Sequence, residues 1–73
     1  MGQNQHVIPW NIRWAVRGEG DDQPSSIHDT QEEAIETARA TARRERSELI
    51  VHGRDGQIRE RDSYGGDPFP PPG

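Results

Sequence analysis

The chain has 73 residues, a formal net charge of −4 and no cysteine, so its length allows one small domain at most. The lack of cysteine excludes a disulfide framework and a thiolate metal site. No apolar run approaches the roughly 20 residues that span a membrane, and we expect no signal peptide, so the sequence predicts a cytoplasmic location.

The chain offers few residues for a hydrophobic core. Leucine, isoleucine, valine and phenylalanine together make up eleven of the 73 residues, about 15%. A domain of this size buries only about 60% of the surface that it exposes when unfolded. Two tryptophans and a modest net charge still favour folding, so we expect a marginal domain that is stabilised by self-association.

The first predicted element is a β-hairpin within residues 6–17. The run from His6 to Ile8 is β-prone, and Pro9 lacks a backbone donor, which is typical of a sheet edge or a strand end. Residues 12–17 alternate between apolar and polar with a period of two. This alternation predicts a buried face with Ile12, Trp14 and Val16, and an opposite face with Arg13, Ala15 and Arg17.

A long loop from Gly18 to Asp29 separates this hairpin from a predicted helix. Thr30 and Glu33 have the Thr-x-x-Glu spacing of a capping box, which predicts that the helix begins at Thr30. Glutamates occupy its first half and arginines its second, as the helix dipole favours, and we expect it to end near Arg46. Its apolar stripe consists mostly of alanines: Ala34, Ile35, Ala38 and Ala42.

A second hairpin follows the helix. Residues 48–52 contain the unbroken apolar run 49–51, which predicts a central strand, and residues 57–61 form the returning strand. Asp55-Gly56 is a strong turn signal, and a two-residue turn or a four-residue loop over 53–56 predicts the same two faces. Residues Leu49, Val51 and Ile58 are expected to face the helix, and Ile50, His52, Arg59 and Arg61 to face away.

These elements predict an α+β fold in the order β-β-α-β-β, with an antiparallel four-stranded sheet and one helix on one face. The predicted organisation is a flexible N-terminus at residues 1–5, a single domain at 6–64 and a flexible tail rich in proline and glycine at 65–73. We expect Tyr64 to be the last ordered side chain and to pack against the fold.

The segment from His52 to Pro68 reads HGRDGQIRERDSYGGDP and resembles a known group of small prokaryotic proteins, the domain of unknown function family 2188. The early run His6–Pro9, the Trp14–Val16 strand and the segment His28–Ala34 fit the same family, so the resemblance covers about residues 6–70. Many members are rich in lysine, whereas all nine basic residues here are arginines, which fits a GC-rich genome or a salt-adapted proteome. The resemblance supports the order of elements and implies no activity.

The sequence indicates no catalytic, cofactor or metal site. The three histidines, His6, His28 and His52, lack the close spacing of zinc sites, and no cysteine assists them. No glycine-rich phosphate loop or nucleophile elbow is present, and about sixty ordered residues leave little room for a catalytic pocket. We therefore predict that the protein is not an enzyme.

Two functions remain open. The first is a self-associating interaction module, a homodimer that also contacts partner proteins through a sheet edge or the proline-rich tail. The second is a nucleic-acid-binding module, since five arginines are predicted on the helix-free face: Arg13, Arg17, Arg54, Arg59 and Arg61. The acidic loop at residues 19–22 and the net charge oppose the second function. A solvated face whose arginines pair with nearby carboxylates is the alternative that needs no ligand.

Overall fold

The computed structural model of the protein describes residues 2–65. Within this range the chain forms strands β1 (Gln5–Trp10), β2 (Arg13–Gly18) and β3 (Ser26–His28), helix α1 (Gln31–Glu45), and strands β4 (Glu48–His52) and β5 (Ile58–Ser63). The predicted α+β class is therefore confirmed. Residues 66–73, which include most of the predicted flexible tail, lie outside the described residues. No helix in the described range has both the length and the apolar character needed to cross a membrane.

The strands form one mixed sheet in the order β3-β2-β1-β4-β5. The prediction of a four-stranded antiparallel sheet was wrong in two respects, because β1 and β4 pair in parallel and Ser26–His28 adds a fifth strand along β2. The parallel pair arises because the chain crosses over through α1 before it returns beside β1. The fifth strand has three residues and one apolar side chain, so only its pairing with β2 defines it.

The turn between β1 and β2 explains why Ile12 is exposed and how Pro9 is accommodated near the end of a strand. Asn11 has a φ of 56° and forms the turn together with Ile12, which is 85% exposed rather than buried as predicted. Pro9 lies near the end of the central strand β1. Hydrogen-bonded and non-hydrogen-bonded residue pairs alternate along an antiparallel hairpin, and Pro9 and Trp14 form a non-hydrogen-bonded pair. The backbone nitrogen of Pro9 therefore points away from β2, toward β4, which pairs with β1 only over Gln5–Val7. The missing donor therefore breaks no ladder bond.

The helix is positioned by its predicted cap and its alanine stripe. The backbone N–H of Glu33 donates to Thr30 Oγ1 at 3.1 Å, and the helix ends at Arg46, which adopts the left-handed conformation. The alanines Ala34, Ala38 and Ala42 are fully buried. Their small side chains let the helix approach the sheet closely, where it covers a core of Val7, Val16, Leu49 and Val51.

Tyr64 packs against this core, as the sequence predicted. Its hydroxyl accepts a hydrogen bond from Arg39 Nε at 3.1 Å, and the Arg43 guanidinium lies 5.4 Å from the centre of its ring. The N-terminal residues before β1 also contact the fold. The backbone N–H of Gly2 donates to the Glu45 carbonyl at 3.1 Å, and the backbone N–H of Glu48 donates to Asn4 Oδ1 at 2.9 Å.

The β4–β5 hairpin contains a bulge that the turn signal does not predict. The predicted pair of Val51 and Glu60 is confirmed, but His52 pairs with Ile58, so Arg59 is the extra residue of the bulge. The loop between Gly53 and Gln57 has three residues, because the backbone N–H of Gly53 donates to the Gln57 carbonyl at 2.8 Å. This odd length reverses the expected faces of Ile58 and Arg59. The prediction that Ile58 faces the helix and Arg59 faces away was therefore wrong.

Candidate functional site

The face of the sheet opposite α1, called here the open face, has no helix or strand packed on it within the described residues. Strand register identifies its members, because residues that pair across antiparallel strands share a face. The open face carries His6, Ile8, Trp10, Arg13, Ala15, Arg17, Ile27, Glu48, Ile50, His52, Ile58, Arg61 and Ser63. Apolar and titratable side chains therefore lie together on this face.

An apolar row begins at the β3 edge of the open face. Ile27 pairs with Ala15 of β2, and Ala15 pairs with Ile8 of the central strand β1. Ala15 is fully buried by its neighbours, whereas Ile27 is 44% exposed. The sequence placed Ile27 in a loop, so it gave no sign that this side chain extends a sheet face.

The row continues on the other side of β1 to the β5 edge. Extending the parallel register of β1 and β4 by one residue places Ile8 beside His52, and His52 pairs with Ile58 of β5. Ile58 is 51% exposed. Two large apolar side chains therefore lie exposed on the two edge strands, at opposite ends of one row.

His6 and His52 form a pair at the centre of the open face. His6 Nδ1 lies 2.9 Å from His52 Nε2, and the two rings stack with their centres 5.2 Å apart. His6 Nε2 lies 3.1 Å from Glu19 Oε1. Because an ionised carboxylate only accepts, His6 Nε2 donates to Glu19, His6 Nδ1 accepts, and His52 Nε2 donates to it. This hydrogen-bond chain assigns one tautomer to each neutral ring.

The surroundings of this pair disfavour a second positive charge. Burial lowers the pKa of His52, and the nearby His6 and Arg17 lower it further. The hydrogen bonds from His6 and Asn4 lower the pKa of Glu19, so this carboxylate stays ionised. No group of three or more side chains that could hold a metal ion occurs among residues 2–65.

The structure brings three of the five predicted arginines onto the open face. Arg13 Nε forms an ion pair with Asp29 at 3.3 Å, and Arg61 lies beside Ile50 on the neighbouring strand. Arg17 pairs with His6 across the β1–β2 ladder, and its Nε is buried without a hydrogen-bond partner in the described part of the chain. These arginines surround the apolar row rather than forming a continuous basic surface.

The other two arginines do not project from the open face, so that part of the prediction was wrong. Arg54 stacks over Trp14, with its guanidinium carbon 4.7 Å from the ring centre, and donates to the carbonyls of Asn11 and Arg13 at 2.8 and 3.1 Å. Arg59 Nη1 donates to Gln31 Oε1 at 3.4 Å, at the start of the helix, because the bulge turns it toward the helix side. Arg54 thus joins the two turns at one end of the sheet.

A groove lies between α1 and β5. Its volume is about 470 Å³, and it is lined by Glu32, Glu33, Ile35, Glu36, Arg39 and Glu60. The glutamates of the first helical turn complement the positive end of the helix dipole, which explains their position without a ligand.

Comparisons with known proteins agree with the resemblance seen in the sequence. A family model described as "Uncharacterized protein conserved in bacteria (DUF2188)" matches residues 5–64. The chain is also similar to the uncharacterized protein YdaT of Bacillus subtilis (strain 168), with 40% identity over 65 residues, or 89% of the chain. The match spans 43% of the length of YdaT. No solved structure matches the chain. The predicted resemblance is therefore confirmed.

Proposed function

The chain belongs to the DUF2188 family of bacterial proteins, and we propose that it is a non-enzymatic interaction module that forms a homodimer through the open face. The observation that carries this proposal is the row that ends in the exposed Ile27 and Ile58. Large apolar side chains that lie exposed on one face of a small domain favour a contact site there. Covering this row would remove apolar area from water, which stabilises a complex by about 25 cal/mol per Å². A domain with so small a core needs additional stabilisation of this kind.

The positions of the two isoleucines favour a second copy of the chain as the partner. β1 is the middle strand of five, and Ile27 and Ile58 each lie two strands away from it, on opposite sides. With strands about 4.8 Å apart, each isoleucine is therefore roughly 10 Å from β1. A twofold axis parallel to β1 would place Ile27 of one copy over Ile58 of the other, and the reverse. Such self-complementary surfaces are the usual basis of twofold dimers.

The charges of the open face are compatible with this contact. Two carboxylates offset part of its positive charge: Asp29 lies 3.3 Å from Arg13, and Glu19 accepts from the neutral His6 ring at 3.1 Å. These charged groups lie beside the apolar row rather than in it. A polar border around an apolar centre is the usual arrangement of an interface.

Pairing of two β5 edges is a less favourable way to self-associate. If two copies of β5 paired antiparallel about a twofold axis, opposite residues of the two copies would have to share a face of the sheet. This is possible only if one residue of β5 lies on the twofold axis and pairs with the same residue of the other copy. Residues 59–62 of β5 are Arg, Glu, Arg and Asp, so each register centred there sets like charges against each other. Charged edges of this kind protect sheets from edge-to-edge association. The open face is therefore the surface that we propose.

The size of the face predicts the strength of the dimer. The five strands have three to six residues each and give a face roughly 20 Å by 20 Å, so that two copies would bury roughly 800 Å² in total, the size of a weak and transient interface. We therefore expect a dissociation constant in the micromolar range. Sedimentation equilibrium should give a dimer mass at a few hundred micromolar protein, and a monomer mass at all concentrations would refute the proposal.

Two isoleucine variants test which surface is used. Ile58→Ser should weaken association at least tenfold, because it places a polar group within the row. Ile12→Ser is the matched control, since Ile12 is 85% exposed in the β1–β2 turn, away from the row. Equal association of both variants would show that the open face is not the interface.

The arrangement gives less support to nucleic-acid binding. Arg54 and Arg59 are held by protein groups off the open face, and Arg13 is paired with Asp29. Partner binding through the proline-rich tail involves residues outside the described range. That contact, the cytoplasmic location and the absence of catalysis stay predictions.

A further inference from the structure

The geometry of the open face points to a pH-dependent dimer, in which protonation of the His6–His52 pair separates the two copies. We propose that the dimer forms near neutral pH and dissociates in mildly acidic solution. This inference rests on the proposed function, because it concerns control of the same surface. Its basis is the position of the pair, its hydrogen bonds and the charges that face it.

The pair lies where a second copy would cover it. His52 belongs to the apolar row between Ile8 and Ile58, and His6 contacts it from the central strand at 2.9 Å. A partner that covers the two exposed isoleucines must also cover the imidazoles between them. Because the proposed twofold axis runs parallel to β1, it would bring the histidine pairs of both copies close together.

The hydrogen bonds of the pair allow one added proton but not two. In the neutral state, one ring nitrogen donates and the other accepts across the 2.9 Å contact. One proton can be accommodated if the second ring changes tautomer, and Glu19 at 3.1 Å stabilises that charge. A second proton makes both facing nitrogens donors and leaves two cations in contact. The doubly charged pair therefore loses its central hydrogen bond.

The neighbouring charges strengthen this effect. Arg17 from β2 and Arg61 from β5 face the pair on either side, and the carboxylates of this part of the face are Glu19 and, further along β4, Glu48. Helix α1 contributes no charge, because it packs on the other face. Protonated histidines would thus add positive charge to a surface on which the two arginines are already balanced by these two glutamates. Covering such a surface with its own copy would bring like charges together in a desolvated site.

The sign of the pH dependence follows from proton linkage. A histidine whose pKa is lowered in the dimer must release its proton on association, so the dissociation constant rises as the pH falls. Burial and the neighbouring cations already lower the pKa of His52 in the single chain, so the part of the effect that depends on this ring extends to lower pH. For a histidine with an ordinary pKa of about 6.5, one proton per chain weakens the dimer up to about 100-fold between pH 7.5 and 5.5.

Sedimentation equilibrium of the full chain at about pH 7.5 and about pH 5.5 tests the inference. The key variant is His6→Gln/His52→Gln, which keeps polar side chains but cannot take up protons. The matched control is His28→Gln, because the third histidine pairs with Trp14 on the helix side and its Nε2 lies 2.8 Å from Ser26 Oγ. Circular dichroism at both pH values separates dissociation from unfolding.

We expect the dissociation constant of the natural chain and of His28→Gln to rise at least tenfold at the lower pH. The double glutamine variant should dimerise equally at both. A dimer whose dissociation constant does not change with pH, or a double variant that keeps the change, overturns this inference and leaves the proposed function intact. A monomer under all conditions overturns the proposed function itself.

A titration by nuclear magnetic resonance gives a second readout, which reports on each histidine separately. The imidazole C–H signals of His6 and His52 should titrate at lower pH in concentrated protein than in dilute protein, because association disfavours the charged rings. The signals of His28 should be independent of concentration. Equal midpoints for the pair at both concentrations would contradict the inference.

Discussion

Tyr64 accepts a hydrogen bond from Arg39 Nε at 3.1 Å, which joins the residue after β5 to the middle of the helix. The Tyr64 ring also packs against the alanine-rich core. We predict that Tyr64→Ala lowers the free energy of unfolding by at least about 1 kcal/mol, and the melting temperature by several degrees. Tyr64→Phe should cost less, because it removes the hydrogen bond and keeps the ring. Thermal unfolding monitored by circular dichroism measures both, and an unchanged midpoint for Tyr64→Ala would show that the ring adds no stability.

Arg54 should stabilise the fold rather than bind a ligand. Its guanidinium stacks on Trp14 at 4.7 Å and donates to two carbonyls of the β1–β2 turn. We predict that Arg54→Lys destabilises the protein by about 1 kcal/mol, because lysine keeps the charge but lacks the planar fork. Arg44→Lys, at an exposed position in the last helical turn, is the control and should change little. Equal effects of both variants in urea unfolding would contradict this role.

The helix cap gives a prediction about two threonine-to-alanine substitutions. One should lower the free energy of unfolding, and the other should leave it unchanged or raise it slightly. Thr30→Ala removes the side-chain oxygen that accepts from the Glu33 backbone at 3.1 Å, and should cost about 1 kcal/mol. Thr37→Ala, at an exposed position inside the helix, should be neutral or slightly stabilising, because alanine is the better helix former. Chemical unfolding compares the two. A Thr37→Ala variant less stable than Thr30→Ala would contradict the assigned cap.

The local features of this fold could be predicted from the sequence because neighbouring residues determine them. The Thr30 cap, the alanine stripe and the apolar run of β4 each depend on residues within one element. The same holds for the alternation of Trp14 and Val16 in β2. These patterns correctly predicted the class, the helix and most of the core.

The arrangement of the open face could not be predicted, because it depends on long-range pairing. Ile27 joins it only because a three-residue segment pairs with β2. Ile58 joins it because a three-residue loop and a bulge reverse its face. His6 meets His52 because β1 and β4 are parallel neighbours, and no local pattern indicates that neighbourhood. Arg54 and Arg59 were wrongly predicted on this face for the same reason, because contacts with distant residues and the β4–β5 bulge determine where they lie.

Nucleic-acid binding gives a prediction that separates the two functions left open by the sequence. With only Arg13, Arg17 and Arg61 on the open face, we expect no binding of a labelled oligonucleotide tighter than about 1 mM at low salt. If three phosphates were neutralised on duplex DNA, the slope of log K against log salt would be near −2.7, at about 0.9 for each contact. Fluorescence anisotropy with that slope, lost in Arg61→Ala, would favour the nucleic-acid function instead.

Crosslinking of single-cysteine variants tests the dimer most directly, because the chain has no cysteine of its own. In the proposed dimer, Ile27 of one copy faces Ile58 of the other across sheets about 10 Å apart, whereas two Ile58 residues are roughly 20 Å apart. An equal mixture of Ile27→Cys and Ile58→Cys, treated with a short bis-maleimide near neutral pH, should yield a crosslinked dimer. Ile58→Cys alone and the turn control Ile12→Cys should stay largely monomeric. A mixture that crosslinks no faster than either of these single variants would contradict the open-face dimer.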